Sequence, residues 1–390
     1  MSSQFLDSLT FANLIAPTSV EAFLSEYWER KPLLVRRNDA HYYGDLLTLE
    51  DFDRAIASTP SYVKTAEAKT KTNTRTETDS TKGVESLLAQ MWSGATLVLD
   101  QLQQREPKLG HLCRVLQKDL GYPMQTNCYL TPPNGAGFTP HWDNHDVFVL
   151  QVLGSKNWKV ENKRRRLPGK TDFMGDEEGR HITKDSMAFT LNQGDLIYIP
   201  RGVVHAAECG ADASLHITLG VQARTWEELL NSTISDLVSQ DDSLRYALPP
   251  GFMNGPKDKL AEGIVALLKR AMKPDHVGAT IDRFRDKLVT KVPPDISGQI
   301  VDYFRPRPLD VHIVAGPRHG TVCTMYEGED SVLLNYAGRA LTFPGFFKAA
   351  LVFALNTPSY AIGELPGDLE EEEKIVFIER LIQEGLVVRR

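Results

Sequence analysis

The spacing of apolar residues divides the chain into parts with different predicted structure. Around residues 20–28 apolar side chains recur at helical spacing, and Thr18 and Glu21 stand at the spacing of a capping box. Between Gln125 and Gly220 short runs rich in β-branched and aromatic residues alternate with Pro, Gly and Asn. After Thr225 the helical spacing returns. The pattern therefore predicts a β-rich central part between two helical parts.

The central part predicts a barrel or sandwich, because many short strands with turn residues between them are typical of those folds. Its predicted strands are 128–130, 147–153, 158–160, 196–199 and 215–219. The run 147–153 is apolar on both faces, which predicts that it lies deep in the sheet. Leu33–Val35, which follows Pro32, is a further predicted strand.

The last third predicts two further modules. Residues 226–305 contain amphipathic helices that begin at a second capping-box pair, Thr225 and Glu228, and a few helices of this length need a partner to cover them. Residues 306–390 are mixed, and they end in a predicted helix from Leu369 to Gln383, with Gly385 as its cap, and a strand at 386–388.

Composition narrows the class of protein. A chain of 390 residues that is 42% hydrophobic is expected to fold into two or three domains. The net charge of −7 argues against a generally basic nucleic-acid coat, and no apolar stretch approaches the length of a membrane span. Residues 1–5 lack the pattern of a signal peptide. The chain is therefore expected to be intracellular, with no membrane partner.

Two further features of composition carry predictions. The four cysteines stand far apart, so we expect neither a disulfide framework nor a zinc knuckle, and a reducing compartment. Residues 64–83 are rich in Thr, Lys and Glu and have little to bury, which predicts an exposed loop or an irregular strand pair.

One set of residues can ligate a metal. His141 and Asp143 are two positions apart, so on a strand both side chains project to the same face, and His205 follows a strand that enters a Pro/Gly turn. Two imidazoles and one carboxylate form a facial triad, which suits iron(II) with open coordination positions. An H-x-D triplet alone is close to chance, and His145, Asp146 and His216 are competing ligands. For His216, inside an apolar run, a hydrogen-bonded core histidine is the favoured interpretation over a metal ligand.

Lys156 is the candidate anion-binding residue. Strand alternation puts it on the same face as Trp158 and Val160, and a lysine inside a barrel is costly unless it meets an anion. Asn127 and Tyr129 alternate in phase on a preceding strand and can line the same cavity. The alternative is that residues 154–157 form a hairpin turn with a solvated lysine.

Several segments, in order, resemble one family, the JmjC-type ribosomal oxygenases. The segments that carry the resemblance are 127–134, 137–143, 147–151, 194–205 and 214–219, together with 23–34 near the N terminus and 363–388 near the C terminus. The resemblance implies an α+β architecture: a double-stranded β-helix (cupin/JmjC) barrel in an oxygenase domain at 1–225, a helical dimerisation module at 226–305 and a winged helix at 306–390.

The same resemblance implies a cofactor set and residue roles. Iron(II) would be held by His141, Asp143 and His205, and 2-oxoglutarate and dioxygen would be co-substrates. Lys156 would pair with the distal carboxylate of 2-oxoglutarate, with Asn127 and Tyr129 in the same pocket. The implied activity is hydroxylation of a residue of a large-subunit ribosomal protein by a homodimer.

The implied target is a histidine first and an arginine second, since residues 131–134, 200–202 and 215–219 are closer to the histidyl branch. The chain departs from eukaryotic histidyl members at Gly220, where they have Ser, and at Trp142, where they usually have Tyr or Phe. The expected compartment is the cytoplasm for a bacterial protein and the nucleus or nucleolus for a eukaryotic one.

Two other functions remain as alternatives. One is a JmjC histone lysine demethylase, although these four cysteines show no zinc finger. The other is a non-enzymatic regulator that combines a cupin with a winged helix. Residues 309–390 hold 7 Lys and Arg against 12 Asp and Glu, so we expect no strong direct nucleic-acid binding there. The basic run 163–166 is a solvated loop, a contact for ribosomal RNA or an acidic partner, or a localisation signal.

Overall fold

The computed structural model describes residues 4–58, 63–66, 76–77, 83–135, 137–164, 167–170, 172, 181–290, 292 and 294–390. The chain divides into two compact units, Met1–Ala223 and Arg224–Arg390. The division of the second unit into a helical module and a winged helix stays a prediction. Most of the segment 64–83, and Arg165 and Arg166 of the basic run, lie outside the described residues.

The first unit combines short helices with antiparallel strands. Its helices are α1 Gln4–Asp7, α2 Phe11–Ile15, α3 Val20–Ala22, α4 Leu49–Ser58, α5 Gly83–Trp92 and α6 Pro107–Leu120. Its strands are β1 Leu33–Val35, β2 Val63–Ala66, β3 Thr76–Glu77, β4 Thr96–Leu99, β5 Met124–Thr131, β6 Asp146–Glu161, β7 Ser186–Asn192, β8 Leu196–Ile199, β9 His205–Glu208 and β10 Ser214–Val221. Every strand predicted in the central part is present.

The strands form a cupin-type arrangement around β6. The main sheet has the order β1-β8-β6-β10-β5-β4-β2-β3, and all of its pairings are antiparallel. The second half of β6 pairs instead with β7 and β9. The predicted run 147–153 is the part of β6 that lies between β8 and β10, so its deep position is confirmed.

A glycine allows β6 to pass from one set of partners to the other. Gly154 has φ +62°, and a Cβ there would lie 1.9 Å from the carbonyl oxygen of Ala213. A residue with a side chain can meet neither condition, because the left-handed region is strained and the space is filled by backbone. The strand therefore continues through 154–157, and the alternative of a hairpin turn with a solvated lysine is wrong.

Strand alternation divides the first unit's apolar side chains into two layers. One layer packs against the N-terminal helices and includes Phe148, Leu150, Ile217 and Leu219. The other lies on the opposite strand face and includes Val147, Val149, Trp158, Val160 and Ile197. The second layer encloses the barrel interior, where the candidate site lies.

The N-terminal helix differs from its prediction. The α-helical part is only α3, and a π-helical turn at Phe23–Tyr27 continues it. Ser19, and not Thr18, caps the helix, because its hydroxyl accepts from the amide of Ala22 at 3.1 Å. Capping-box spacing alone did not distinguish two adjacent hydroxyl residues.

The second unit has helices α7 Trp226–Gln240, α8 Lys257–Ala271, α9 Pro274–Val289, α10 Gln299–Phe304, α11 Lys348–Asn356 and α12 Glu371–Gln383. Its strands are β11 Val314–Pro317, β12 Cys323–Glu327, β13 Ser331–Tyr336, β14 Arg339–Pro344, β15 Tyr360–Ala361 and β16 Val387–Arg389. They form two three-stranded sheets, β15-β11-β16 and β12-β13-β14, which share a core with α11 and α12. The capping box of Thr225 and Glu228 is confirmed at the start of α7.

Two predictions from composition can be compared with the structure. None of the four cysteines, all of which are described, forms a disulfide. Among the helices of the described ranges, none is both long and apolar enough to span a membrane.

Candidate metal centre and adjoining cavity

Backbone pairing brings the two predicted histidine ligands together. The amide of His141 donates to the carbonyl of His205 at 3.0 Å, and the amide of His205 donates back at 2.8 Å. This exchange places the two imidazoles side by side, with ring centroids 4.4 Å apart. The two predicted ligands, which are 64 positions apart in sequence, are therefore neighbours across a β-bridge.

Each histidine is oriented by a bond to a nearby carbonyl. Nδ1 of His141 lies 2.9 Å from the carbonyl oxygen of Thr139, and Nδ1 of His205 lies 3.0 Å from that of Val203. In a neutral ring Nδ1–H then donates to the carbonyl, which leaves the lone pair of Nε2 for a metal. Burial and the neighbouring His141 lower the pKa of His205 to about 4, so its ring is neutral at pH 7.

Asp143 completes the group. Its Oδ2 lies 3.6 Å from Nε2 of His205, and one ligand atom from each of the three residues lies within 4.8 Å of the others. The backbone of Asp143 is held by the turn before His205, because the amide of Gly202 donates to its carbonyl at 2.9 Å. Two neutral imidazoles and a carboxylate are a donor set that suits iron(II). The three residues therefore fit a divalent metal.

A cavity of about 210 Å³ adjoins the three ligands in the barrel interior. All three line it, and so do Lys156, Tyr129, His216 and Trp158. The structure therefore brings the predicted metal ligands and the predicted anion-binding lysine to one space. A cavity of this volume accommodates a small dicarboxylate but not a whole peptide.

Lys156 is buried at 3% exposure, and Thr131, which is buried behind the cavity wall, is its hydrogen-bond partner. Its Nζ donates to Oγ1 of Thr131 at 3.0 Å, and that hydroxyl lies 3.0 Å from Oγ1 of Thr96. Burial lowers the pKa of Lys156 to about 8. No carboxylate among the described residues forms an ion pair with it. A buried ammonium without a counter-ion is well placed to bind an anion.

Two residues that line the cavity carry a buried nitrogen atom without a hydrogen-bond partner among the described residues. Nε1 of Trp158 and Nδ1 of His216 have no hydrogen-bond partner in the part of the chain that the structure describes. His216 stacks on Tyr129 with ring centroids 4.9 Å apart, and burial holds its pKa well below the usual range. His216 is thus a barrel-interior residue, and the hydrogen bond expected of a core histidine is absent at Nδ1 among the described residues. The cavity fits a small ligand that brings its own hydrogen-bonding atoms.

The remaining predicted residues divide by position. Tyr129 lines the cavity, whereas Asn127 is not among its lining residues, and its side-chain oxygen accepts from the amide of Gln101 at 3.0 Å. Of the competing ligands, His145 and Asp146 line a different cavity. The role of Asn127 stays a prediction.

Sequence reasoning did not find the two threonines near Lys156. Thr131 continues the alternation of Asn127 and Tyr129 along β5, which was an available signal. Thr96 lies on β4, and its place beside Thr131 depends on the pairing of β4 with β5. No local pattern indicates that pairing.

Comparison with known proteins identifies the same region. Residues 98–229 match the JmjC domain. The chain is 31% identical over 317 residues to Ribosomal oxygenase 1 of Danio rerio. This alignment covers 74% of this chain and 57% of that protein. It is 33% identical over 253 residues to the bifunctional lysine-specific demethylase and histidyl-hydroxylase NO66 of Aedes aegypti, with coverage of 62% and 39%. The chain thus spans about half the length of these curated relatives.

A solved structure matches almost the whole chain. It is YcfD, a ribosomal oxygenase from Escherichia coli in complex with cobalt and 2-oxoglutarate. The TM-score is 0.56 at 17% sequence identity, and the match covers 95% of this chain and 98% of that one. At 17% identity this match shows that the chain has a fold similar to that of YcfD.

Proposed function

We propose that this chain, which carries a JmjC domain and is related to the ribosomal oxygenases, is an iron(II)- and 2-oxoglutarate-dependent protein hydroxylase. One observation carries the proposal. Two histidines with their Nδ1 atoms bound to carbonyls and one aspartate converge at a cavity that also holds a buried lysine, which forms no ion pair with any described residue. The related proteins named above, and a relative solved with cobalt and 2-oxoglutarate, support the same chemistry.

In the proposed centre His141, Asp143 and His205 hold the metal. Iron(II) bound there, with 2-oxoglutarate and dioxygen, supplies the oxidising power for hydroxylation of a C–H bond. The carbonyls of Thr139 and Val203 keep both rings in the orientation that directs Nε2 toward the metal. Burial keeps His205 neutral, so no proton must leave before it binds.

The proposed role of Lys156 is to bind the distal carboxylate of 2-oxoglutarate. Its ammonium provides a charge-assisted hydrogen bond in a buried setting, and the bond to Thr131 fixes the position of the amine. We include Tyr129 and Asn127 in this subsite as in the sequence prediction; Tyr129 is supported by its place on the cavity wall. Trp158, which also lines the cavity, adds an N–H that has no partner in the described ranges.

The proposed substrate is a residue of a large-subunit ribosomal protein, with histidine favoured over arginine. The relative from Aedes aegypti is named a histidyl-hydroxylase, which supports histidine. Gly220 and Trp142, where the chain departs from eukaryotic histidyl members, lie on the segments that carry the cavity walls, and Trp142 is buried.

The second unit is proposed to contain a dimerisation module and a winged helix. Ile264, Val265 and Leu268 of α8 are 37–57% exposed, which is a large apolar surface for one helix. We propose that α8 contributes to the interface of a homodimer. In the winged helix the excess of acidic residues disfavours phosphate contact, so we expect its partner to be protein.

The test of the proposed function is mass spectrometry of ribosomal proteins. Large-subunit proteins from cells with and without the gene are digested and searched for peptides that gain one oxygen atom. We expect one histidine-containing peptide to carry the oxygen only when the gene is present. Oxygen on an arginine would reassign the target, and identical spectra would contradict the function.

Variants link that modification to the site. Asp143→Ala and His205→Ala are each expected to abolish the added oxygen and the substrate-dependent release of succinate. The matched control is His276→Ala, an exposed histidine on α9. Full turnover by either ligand variant would remove the metal assignment.

A lysine demethylase is the second candidate, because the name of the Aedes aegypti relative includes that activity. Demethylation releases formaldehyde, whereas hydroxylation of a histidine does not. Assay of methylated histone peptides for formaldehyde separates the two functions. We expect none above the level of the Asp143→Ala variant.

A further inference from the structure

A second cavity, of about 310 Å³, lies in the first unit beside the candidate metal centre. Residues that directly follow the ligand Asp143 form one wall, and the end of β10 and the start of β5 form another. Its lining residues include Gln125, Asn144, His145, Asp146, Arg201 and Gln222. None of the proposed roles above uses this cavity.

Strand register places the second cavity at the opposite end of the barrel face from Lys156. Ser214 of β10 is level with Thr131, the partner of Lys156, and the same face continues through residues 216, 218 and 220. Residues 216 and 218 line the first cavity, and Gln222 lines the second. At about 3.3 Å per residue, roughly 25 Å of strand separates residues 214 and 222. A polypeptide whose side chain reaches the metal thus has the second cavity beside it.

Gly220 marks the boundary between the two cavities, and His145 covers it. A Cβ at Gly220 would lie 2.9 Å from Cδ2 and 3.0 Å from Nε2 of His145. The imidazole therefore fills the space that a side chain at position 220 would need. Its Nδ1 lies 3.1 Å from Oδ1 of Asn144, which orients the ring.

Asp146 lines the cavity, and only one of its two carboxylate oxygens has a hydrogen-bond donor among the described residues. The residue is fully buried, and its Oδ1 accepts from the hydroxyl of Tyr198 at 2.7 Å. Its Oδ2 is buried and has no hydrogen-bond partner among the described residues. A buried carboxylate oxygen without a donor is costly, and a ligand N–H would remove that cost.

The charges around Asp146 select a neutral donor. Arg201 and Lys170 line the same cavity, but Arg201 is paired with Glu29, so two carboxylates balance two cations and a charged ligand gains no net attraction. An anion would bring no donor to Oδ2. The other walls are amides: Nε2 of Gln222 donates to Oε1 of Gln125 at 3.1 Å. A neutral amide or imidazole group of a ligand can form hydrogen bonds with these side-chain amides.

We propose that this cavity is a substrate subsite that binds a neutral N–H group, a carboxamide or imidazole, of the residue beside the one that is oxidised. The proposal rests on the proposed function for the identity of the ligand as part of a substrate. The binding preference itself depends only on Asp146 and its surroundings. It can therefore be tested on metal-free protein without any turnover.

The test compares two small amides of nearly the same shape. N-Methylacetamide carries an N–H, and N,N-dimethylacetamide does not. Binding is followed by NMR on the side-chain amides of Gln125 and Gln222. We expect N-methylacetamide to bind about tenfold more tightly, as one hydrogen bond to a charged acceptor provides. Equal affinity for the two probes would overturn the proposal.

Substitutions test whether Asp146 is the source of the preference for the probe that carries an N–H. Asp146→Asn keeps an acceptor for Tyr198 and offers an NH₂ in place of Oδ2. The preference for N-methylacetamide over N,N-dimethylacetamide is therefore expected to reverse. An unchanged preference would overturn the proposal. If that variant does not fold, Gln222→Leu, an exposed residue, serves instead and is expected to weaken both probes about threefold. The matched control is Gln240→Leu, at the exposed end of α7, which should bind as wild type does.

The boundary at Gly220 gives an independent test. Gly220→Ala forces the ring of His145 away from β10 and into the cavity that it lines, so N-methylacetamide should bind at least tenfold more weakly. Gly220→Ala/His145→Ala removes the displaced ring and should restore binding. Weakening that persists in the double variant would contradict the placement of the subsite.

These results separate the two proposals. Loss of the probe preference with an oxygen still added to a ribosomal peptide would refute the subsite alone. A clear preference without any modified peptide would refute the proposed function, and the cavity would remain a neutral N–H site.

Discussion

Replacement of Lys156 by Met should stabilise the metal-free protein while it removes 2-oxoglutarate binding. Lys156 is 3% exposed, and burial lowers its pKa from 10.5 to about 8. The folded chain therefore incurs a free-energy cost to keep this amine protonated. Met fills similar volume without charge.

The size of the effect follows from the pKa shift. Below pH 8 a shift from 10.5 to about 8 corresponds to about 3 kcal/mol of lost stability, since each unit is worth roughly 1.4 kcal/mol. Loss of the bond from Lys156 to Thr131 costs about 1 kcal/mol. The net stabilisation at pH 7 is therefore about 2 kcal/mol, or roughly 4–8 °C in the melting temperature of a unit of this size.

The sign of the pH dependence is fixed by the direction of that shift. The unfolded chain binds more protons than the folded one between about pH 8 and 10.5, so wild-type stability rises with pH over that range. The advantage of the Met variant should therefore fall by roughly 2 kcal/mol between pH 7 and 9.5. Thermal unfolding of both proteins in EDTA at the two pH values measures this change.

Ligand binding should change in the opposite direction. The lost charge-assisted contact is worth about 3 kcal/mol, so the Kd for 2-oxoglutarate should rise about a hundredfold, while Mn²⁺ binding stays within about threefold. Lys159→Met, on the same strand but exposed, is the control and should change stability by less than about 0.5 kcal/mol. A less stable Lys156→Met variant with equal losses of 2-oxoglutarate and Mn²⁺ binding would refute the reasoning.

Three further predictions follow from the same structure. The affinity for 2-oxoglutarate should fall about tenfold between pH 7 and 9 in wild type, because Lys156 loses its proton near pH 8, and titration calorimetry should show no such fall in Lys156→Met. Gly154→Ala should lower the free energy of unfolding, measured with denaturant, by about 3 kcal/mol or more, because position 154 has a positive φ and the new Cβ would lie 1.9 Å from a backbone oxygen. The control Gly210→Ala should be nearly neutral, because its Cβ would meet nothing closer than 3.8 Å. Light scattering at micromolar concentration should show a dimer, and Ile264→Asp on the exposed face of α8 should shift it toward monomer; a wild-type monomer would contradict the proposed module.

Local pattern was sufficient for the strands and for the face on which each candidate residue lies. Alternation placed Lys156, Trp158 and Val160 together, and all three are buried on one face of β6. Local pattern failed to predict the N-terminal cap of α3, because Thr18 and Ser19 are adjacent and both can cap a helix. It also left the hairpin alternative open at Gly154, because a glycine is compatible with a turn as well as with a strained strand.

The amino-acid sequence by itself determined which side chains can ligate a metal, since residue type and the i, i+2 spacing of His141 and Asp143 are local properties. Only the tertiary structure decided that His205 is their neighbour, because a β-bridge between distant segments depends on strand register. It also decided the chemistry of Lys156 and the complementarity of Gly220 with His145. Desolvation and steric exclusion depend on the elements that surround a residue, and those elements come from every part of the first unit.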